Sequence, residues 1–303
     1  MPPVIATGNH PKALWPGVKS IWGMEYDSHG EECRDLFDID QSDKAYEEMF
    51  EATGFGLAPV KQEGGATTYD THQQGAVTRA THAAVSLGYI VTREELDDNK
   101  YPQVSARRAK ANAFSMHTTK ETIAANVYNR AFNSSYTFGD GVQIISASHP
   151  TVAGNQSNAL AVAADMSEAS VEDMIIQIMQ TENSRGLKIK LMPRCLIVPP
   201  SLHFEAHRIL DSTLQNDTGN NAVNVLRSTG AIPEGVKVNH YLTDTDAWFV
   251  RTNAPEGMKG FIRTKIEFTQ DNDFDTDNAK AKAYERYSFT MGDFRGIFGS
   301  EGA

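Results

Sequence analysis

Apolar and polar residues alternate between residues 259 and 300, which is the pattern of β-strands that pack on one face. The candidate strands are 261–269 and 284–291, and an acidic connector at 271–278 separates them. Alternation of this kind buries every second side chain of a strand. The pattern predicts a strand pair without catalytic residues, and assembly with another surface is the first function that it indicates.

The first forty residues combine much Pro, Gly, His and charge with the large aromatic residues Trp15, Trp22 and Phe37. We expect an arm that packs these aromatic side chains on another surface, because exposing them to water is unfavourable. Apolar residues at helical spacing then predict a short helix over 42–53, with Ser42 as its N-cap.

A strand is predicted at 83–91, where small and apolar residues alternate. The stretch before it is rich in Gly, Thr and Gln, and we expect it to be the hairpin partner of this strand. Such a hairpin contains too few large apolar residues to form a core. It is therefore expected to project as a two-stranded loop that needs a partner surface.

A long helix is predicted over 104–132, which contains neither Pro nor Gly and carries an alanine-rich stripe at three- and four-residue steps. Its length would be roughly 40 Å at about 1.5 Å per residue. Arg107, Arg108 and Lys110 lie off the stripe. A charged face of this kind either is solvated or faces a polyanion or an acidic neighbouring subunit.

Residues 139–250 have the pattern of a compact α/β unit. Ser167 or Ser170 is expected to cap one helix, and Ser201 a second helix after Pro199 and Pro200. Between these helices lies a predicted strand over 190–198, in which Pro193 indicates an edge position or a bulge. Residues 214–221 should form an exposed polar loop, and 236–250 at least one more strand pair.

Composition limits the functions that need to be considered. The 303 residues are 40% hydrophobic and 22% charged, enough to bury a core, with no apolar run near the ~20 residues of a membrane span. We expect a soluble, intracellular protein without a secretory signal. The net charge of −11 disfavours a dedicated nucleic-acid binder, although it leaves room for a local basic strip.

Neither cysteine has the context of a catalytic nucleophile. Cys33 and Cys195 are far apart in sequence, and Cys195 lies in an apolar run of strand character. Two isolated cysteines are typical of a reducing compartment without a disulfide framework.

Three patterns of histidine or acidic residues could indicate a metal site or a catalytic site. His203 and His207 share a helix face and could bind Zn²⁺, but Phe204 stands where a metalloprotease has Glu, so a solvated polar stripe is favoured. The connector at 271–278 has neither the Gly nor the bidentate Glu of an EF-hand. His149 has Ser146 and Ser148 nearby, but no nucleophile elbow and no acid identifiable from spacing. We expect no catalytic, cofactor or metal site.

The order of elements and four local phrases resemble the major capsid proteins of tailed bacteriophages, including Mu-like major head subunits. The phrases are DGVQIISASHPTVAGNQSNAL from Asp140, CLIVPPSLHFEAHRIL from Cys195, NAVNVLRSTGAIPEGVKVNHYLTDTDAWFV from Asn221 and AYERYSFTMGDFRGIFGS from Ala283. The resemblance covers residues 40–300 and is weakest in the arm.

The resemblance implies an α+β phage capsid fold with five parts. They are an N-terminal arm (1–53), an extended β-hairpin loop that reaches over a neighbour (54–100), a peripheral-domain spine helix (101–138), an axial domain (139–250) and peripheral return strands (251–303).

The implied function is a non-enzymatic icosahedral shell of pentamers and hexamers that encloses packaged double-stranded DNA, assembled in the bacterial host cytoplasm and located in the virion. The resemblance also implies a portal and leaves room for a decoration protein. A separate scaffolding protein is expected, because few residues precede the loop. An isopeptide crosslink is not established by Lys61 alone. An encapsulin-type compartment shell and a small metal-dependent enzyme using His203 and His207 are the alternatives.

Overall fold

Two four-stranded sheets organise the chain in the computed structural model, which describes residues 15–92, 94–95, 101–215, 222–273 and 278–302. The helices are α1 (Trp15–Ser28), α2 (Cys33–Leu36), α3 (Tyr101–Asn129), α4 (Glu168–Gln180), α5 (His203–Asp211) and α6 (Val225–Thr229), with 3₁₀ turns at Pro200–Leu202 and Phe294–Gly296. The strands are β1 (Asp38–Gln41), β2 (Tyr46–Ala52), β3 (Gln74–Thr81), β4 (Ala83–Val91), β5 (His149–Thr151), β6 (Gly154–Gln156), β7 (Pro193–Val198), β8 (Val236–Val238), β9 (Trp248–Thr252), β10 (Met258–Asn272), β11 (Ala279–Met291) and β12 (Ile297–Ser300).

The long sheet has the strand order β1-β10-β11-β4. Its centre is the antiparallel hairpin of β10 and β11, which confirms the predicted terminal strand pair and extends each strand. Residues 274–277 of the acidic connector lie outside the described residues. The face of β11 that carries Ala281 and Ala283 is buried. These small side chains let two helices pack closely on the sheet.

Helices α1 and α3 cover that face. The expected long helix is confirmed, and Ala109, Ala113 and Met116 of its small-residue stripe are buried against α1 and the sheet. Helix α1 presents Val18, Trp22 and Tyr26, which are four residues apart and share one helix face. Trp22 therefore packs within its own subunit instead of on another surface.

The compact sheet has the order β12-β9-β7-β8, and helices α4, α5 and α6 contribute to its core. The predicted strand before Pro199 is confirmed as β7. It lies between β8 and β9 with a register shift after Pro193, so that residue marks a bulge and not an edge. The predicted pair within 236–250 is different: β8 and β9 both pair with β7. Strand β12 joins this compact sheet, although we expected the last residues to return to the peripheral domain.

The two halves meet in a shared core. This cluster takes Cys195, Ile197 and Phe249 from the compact sheet and Met258 and Met291 from the long sheet. Gly257 and Gly296 cross beside it so closely that a Cβ on Gly296 would lie 2.2 Å from the Gly257 Cα atom. The close crossing requires glycine and holds the two sheets in one body.

Two expectations at the start of the chain are wrong. Residues 42–53 contain strand β2 and no helix, and Ser42 bonds the Glu47 carboxylate instead of capping a helix. The expected hairpin partner of β4 is also wrong. Strand β4 pairs with β11 in the long sheet, whereas β3, which ends just before His82, pairs with β2 in a separate sheet. Pairing decides both outcomes, because β-strand formation depends on neighbours more than on local spacing.

Helix caps are confirmed for one helix and corrected for another. Ser167 and Ser170 form a reciprocal capping box at the start of α4. Ser201 lies in a 3₁₀ turn and donates to the Thr245 carbonyl oxygen, 2.7 Å away, so it does not cap α5. Residues 216–221 of the predicted polar loop lie outside the described residues. None of the helices in the described part of the chain has the length and apolar composition of a membrane span.

Candidate assembly interface

Strands β2 and β3 form a two-stranded ribbon that lies outside both large sheets. Residues 53–73 connect the strands as a loop without regular structure. The loop exposes 59% of Phe55, 84% of Leu57, 97% of Val60 and 91% of Tyr69, and the ribbon exposes 65% of Phe50. Several large apolar side chains in one segment are costly to leave in water, so this surface is the strongest candidate for contact with another molecule.

The near end of the ribbon is attached to the long sheet. The His82 ring bonds Ser288 of β11 through Nδ1 at 3.0 Å and Ser42 through Nε2 at 3.1 Å. The backbone amide of Ser42 donates to the Ile262 carbonyl oxygen at 3.0 Å. Burial lowers the pKa of His82, and Arg286 adds to this effect.

The far end of the ribbon is attached beside the compact sheet through Arg295, which is 3% exposed. Its guanidinium donates to a set of acceptors that we call the Arg295 cluster: Glu51 Oε1 (2.9 Å), Asp293 Oδ1 (3.2 Å), Gln156 Oε1 (3.0 Å), Ser184 Oγ (3.3 Å) and the Glu182 carbonyl oxygen (2.8 Å). The Ser184 hydroxyl also donates to Glu51. Burial raises the pKa of Asp293, and Arg295 opposes this shift.

Two glycines let the body approach the ribbon. A Cβ on Gly139 would lie 2.3 Å from the Val77 carbonyl oxygen, and one on Gly292 would lie 2.8 Å from Met49 Sδ. The Gly139 amide donates to Thr78 Oγ1 at 3.2 Å. The ribbon is therefore held along its length.

The loop has an anchor of its own at Asp70. Its carboxylate accepts from the Gly56 amide at 2.8 Å and from the Arg185 guanidinium at 2.6 Å. These hydrogen bonds lower the pKa of Asp70 to about 2, with the Gly56 amide the largest cause. Asp70 therefore ties the two arms of the loop to one another and to the turn that carries Ser184.

Most cations of the spine helix have partners within the subunit, an arrangement that neither a solvated face nor a face toward a polyanion or a neighbouring subunit had predicted. Arg108 pairs with Glu95 at 2.9 Å and Lys110 with Glu25 at 2.9 Å. Lys120 is 3% exposed and lies 3.0 Å from Glu285. Of the three expected residues, Arg107 alone stays exposed without an ion pair to the described residues.

The structure brings His203 and His207 together on one face of α5. Their rings make an edge contact with centroids 4.8 Å apart, and His207 Nδ1 lies 2.6 Å from Asp211 Oδ2. No group of three His, Cys, Asp or Glu side chains within the described ranges has the geometry to hold a metal ion.

His149 is buried, and the acidic residue beside it, which could not be identified from sequence spacing, is Asp140. Its Nδ1 lies 2.5 Å from Asp140 Oδ2, its Nε2 lies 3.0 Å from Asn158 Oδ1, and its ring stacks on Phe294. Both ring nitrogens are thus engaged by residues other than Ser146 and Ser148, so the arrangement supports the fold and not nucleophile activation.

The two cysteines are free and buried. Burial raises the pKa of both thiols, to about 11 for Cys195. Thiols of this kind are poor nucleophiles because little thiolate is present.

Comparison with known proteins agrees with these observations. The model of the family described as phage capsid protein matches residues 76–299, which is more than half of the chain. The chain belongs to the phage capsid protein family. It is therefore a capsid shell protein, and the encapsulin-type alternative is not favoured. A comparison with curated protein sequences found no match.

Solved capsid structures share the fold at low sequence identity. The capsid of a native GTA particle superimposes with a TM-score of 0.55 at 12% identity, covering 91% of this chain and 91% of that chain. Mycobacterium phage Che8 gives 0.51 at 13% identity, covering 89% and 92%. The virus-like particle from Pyrococcus furiosus gives 0.53 at 10% identity, covering 94% and 98%. These similarities confirm the α+β phage capsid fold.

Residues that sequence reasoning missed hold the ribbon in place. Arg295 and Glu51 are 244 positions apart, and Arg185 and Asp70 are 115 apart. Neither pair forms a motif, and only the tertiary fold brings them together.

Proposed function

We propose that copies of this chain form a closed icosahedral shell, built from pentamers and hexamers, around packaged double-stranded DNA. The observation that carries the proposal is the ribbon and its loop, whose apolar side chains stay exposed in the isolated subunit. The loop would cover part of a neighbouring copy, and closed symmetry would repeat that contact around the shell. The four sequence phrases further support a Mu-like major head subunit.

In this shell the long sheet with α1 and α3 would form the peripheral domain, and the compact sheet with its helices the axial domain. The role is mechanical and needs no catalysis. Double-stranded DNA would be held without sequence-specific contacts, and a scaffolding protein, a portal and a decoration protein are proposed partners. Assembly would take place in the host cytoplasm.

The test compares the full chain with a variant in which residues 56–70 are replaced by a short Gly-Ser linker. Each is expressed alone and together with the other head genes of its genome, and particles are examined by electron microscopy and sedimentation. We expect shells from the full chain in the presence of the other head proteins. The shortened variant should keep the circular dichroism spectrum of the folded subunit and form no shells.

A full chain that stays a monodisperse species of about 33 kDa in every combination would overturn the proposal. Regular shells from the chain expressed alone would refute the requirement for a separate scaffolding protein and leave the shell function intact. Shells from the shortened variant would show that the loop is not the contact that closes the assembly.

A further inference from the structure

The Arg295 cluster lies where the ribbon ends and the exposed loop begins. Glu51 is the last charged residue of β2, and the loop starts two residues later at Thr53. The amide and hydroxyl of Thr53 both bond Gln73 at the other side of the loop, the amide at 3.1 Å and the hydroxyl at 2.9 Å. The two arms of the loop therefore leave the body from one closed base next to Glu51.

The hydrogen bonds of the Arg295 guanidinium fix the orientation of this base. A guanidinium is a rigid planar fork, so bonds in several directions fix both the position and the orientation of its partners. Here the acceptors come from β2, from β6, from the turn at 182–184 and from Asp293, so the ribbon is bonded to three parts of the body at once. Burial strengthens these bonds, since little water competes with them.

A small change of direction at this base becomes a large displacement at the end of the loop. Each arm has roughly ten residues and can extend to about 33 Å, so a rotation of about 10° moves its tip by about 6 Å. Apolar side chains make contact only within about 4.5 Å, so the loop would then miss its partner surface.

We propose that Arg295 is a positioning residue for assembly, which holds Glu51 and thereby sets the direction in which the loop leaves the subunit and the size of the closed shell. This inference rests on the proposed shell function. Arg295 is buried within its own subunit, so its effect on assembly would pass through the groups that it bonds.

Glu51→Gln is the decisive variant, because it keeps the shape of the side chain and removes the charge that Arg295 holds. Glu48→Gln is the matched control: it lies on the same strand, has the same charge change, and faces solvent 3.9 Å from Arg79. Arg295→Lys keeps the charge and removes the fork. Shell diameters are measured by cryo-electron microscopy, and amide hydrogen exchange is measured on the unassembled subunits.

We expect E51Q and R295K to give shells of mixed diameter or incomplete closure, and E48Q to give the diameter of the unaltered protein. In the unassembled E51Q subunit, exchange should rise at least several-fold at residues 50–53 and 73–77, with β12 unchanged. Equal shell diameters and equal exchange for E51Q and E48Q would overturn the inference. Loss of folding in both E51Q and R295K would also overturn it, because the cluster would then stabilise the whole subunit. If the unaltered chain forms no shells, the proposed function fails, and hydrogen exchange still decides whether Arg295 fixes the base of the loop.

Discussion

Glu121 is a buried acidic residue whose ionisation should affect the stability of the subunit. It lies on α3 with no exposed surface, and neither carboxylate oxygen has a hydrogen-bond partner of normal geometry. The groups packed around it are Cys33 of α2 and, on its own helix, His117, whose Nε2 is 3.9 Å away, and Lys120, which is engaged by Glu285. Burial raises the pKa of Glu121 from 4.5 to about 7.

The raised pKa predicts that the contribution of Glu121 to the free energy of unfolding falls as the pH rises through this range. The folded state binds the proton more tightly than the unfolded state, so the stabilisation is complete below about pH 4.5 and lost above about pH 7, a difference of about 3 kcal/mol. Glu121→Gln cannot ionise and should remove this dependence. Urea unfolding of the unassembled subunit between about pH 4.5 and about pH 8 measures it.

Glu205→Gln, an exposed substitution on α5, is the control and should keep the pH dependence of the unaltered protein. If E121Q and E205Q show the same pH profile, Glu121 is not the group responsible.

At the scale of elements, the Trp22 side chain holds α1 against α3 and the long sheet. Its ring stacks between Tyr26 and Phe268, with centroids 5.3 and 5.1 Å away, and its Nε1 donates to Asn112 Oδ1 at 2.9 Å. The stacking buries apolar area, and the hydrogen bond satisfies a polar group that the helix would otherwise leave unpaired.

Two substitutions separate these contributions. Trp22→Phe keeps the stacked ring and leaves Asn112 Oδ1 unsatisfied, which should lower the free energy of unfolding by about 1–3 kcal/mol. Trp22→Ala also removes the ring and should cost about 3–5 kcal/mol. Met24→Ala on the exposed side of α1 should change it by less than about 0.5 kcal/mol. Equal denaturation midpoints for W22A and M24A would contradict the role of Trp22 in holding α1 against α3.

Periodicity predicted the elements whose own apolar residues recur at regular spacing. It failed where the pairing partner decides which structure a segment adopts. Helix α3 and strands β4, β10 and β11 follow from their own patterns. The pattern predicts a helix over 42–53 because Ala45, Met49 and Phe50 have helical spacing. In the structure only Met49 of these is buried, and pairing with β3 decides the strand. The Arg295 cluster has no local signal at all, since its members come from four distant segments.

At the scale of the whole molecule, charge opposes assembly. The formal net charge is −11, and most cations of the spine helix are already paired within the subunit, so approaching copies repel one another. Raising NaCl from about 0.01 M to about 0.15 M shortens the Debye length from about 30 Å to about 8 Å. We expect the critical concentration for shell formation, measured by light scattering, to fall over this range. A rise would show that attraction between opposite charges of neighbouring copies outweighs the repulsion.

The junction at His82 has a mechanical consequence. Strands β3 and β4 are separated by that single residue, so tension applied to the ribbon by a neighbour continues directly into β4. Strand β4 runs antiparallel to β11, and its hydrogen bonds lie across the direction of pull. A load along the strand therefore shears these bonds together instead of opening them one by one.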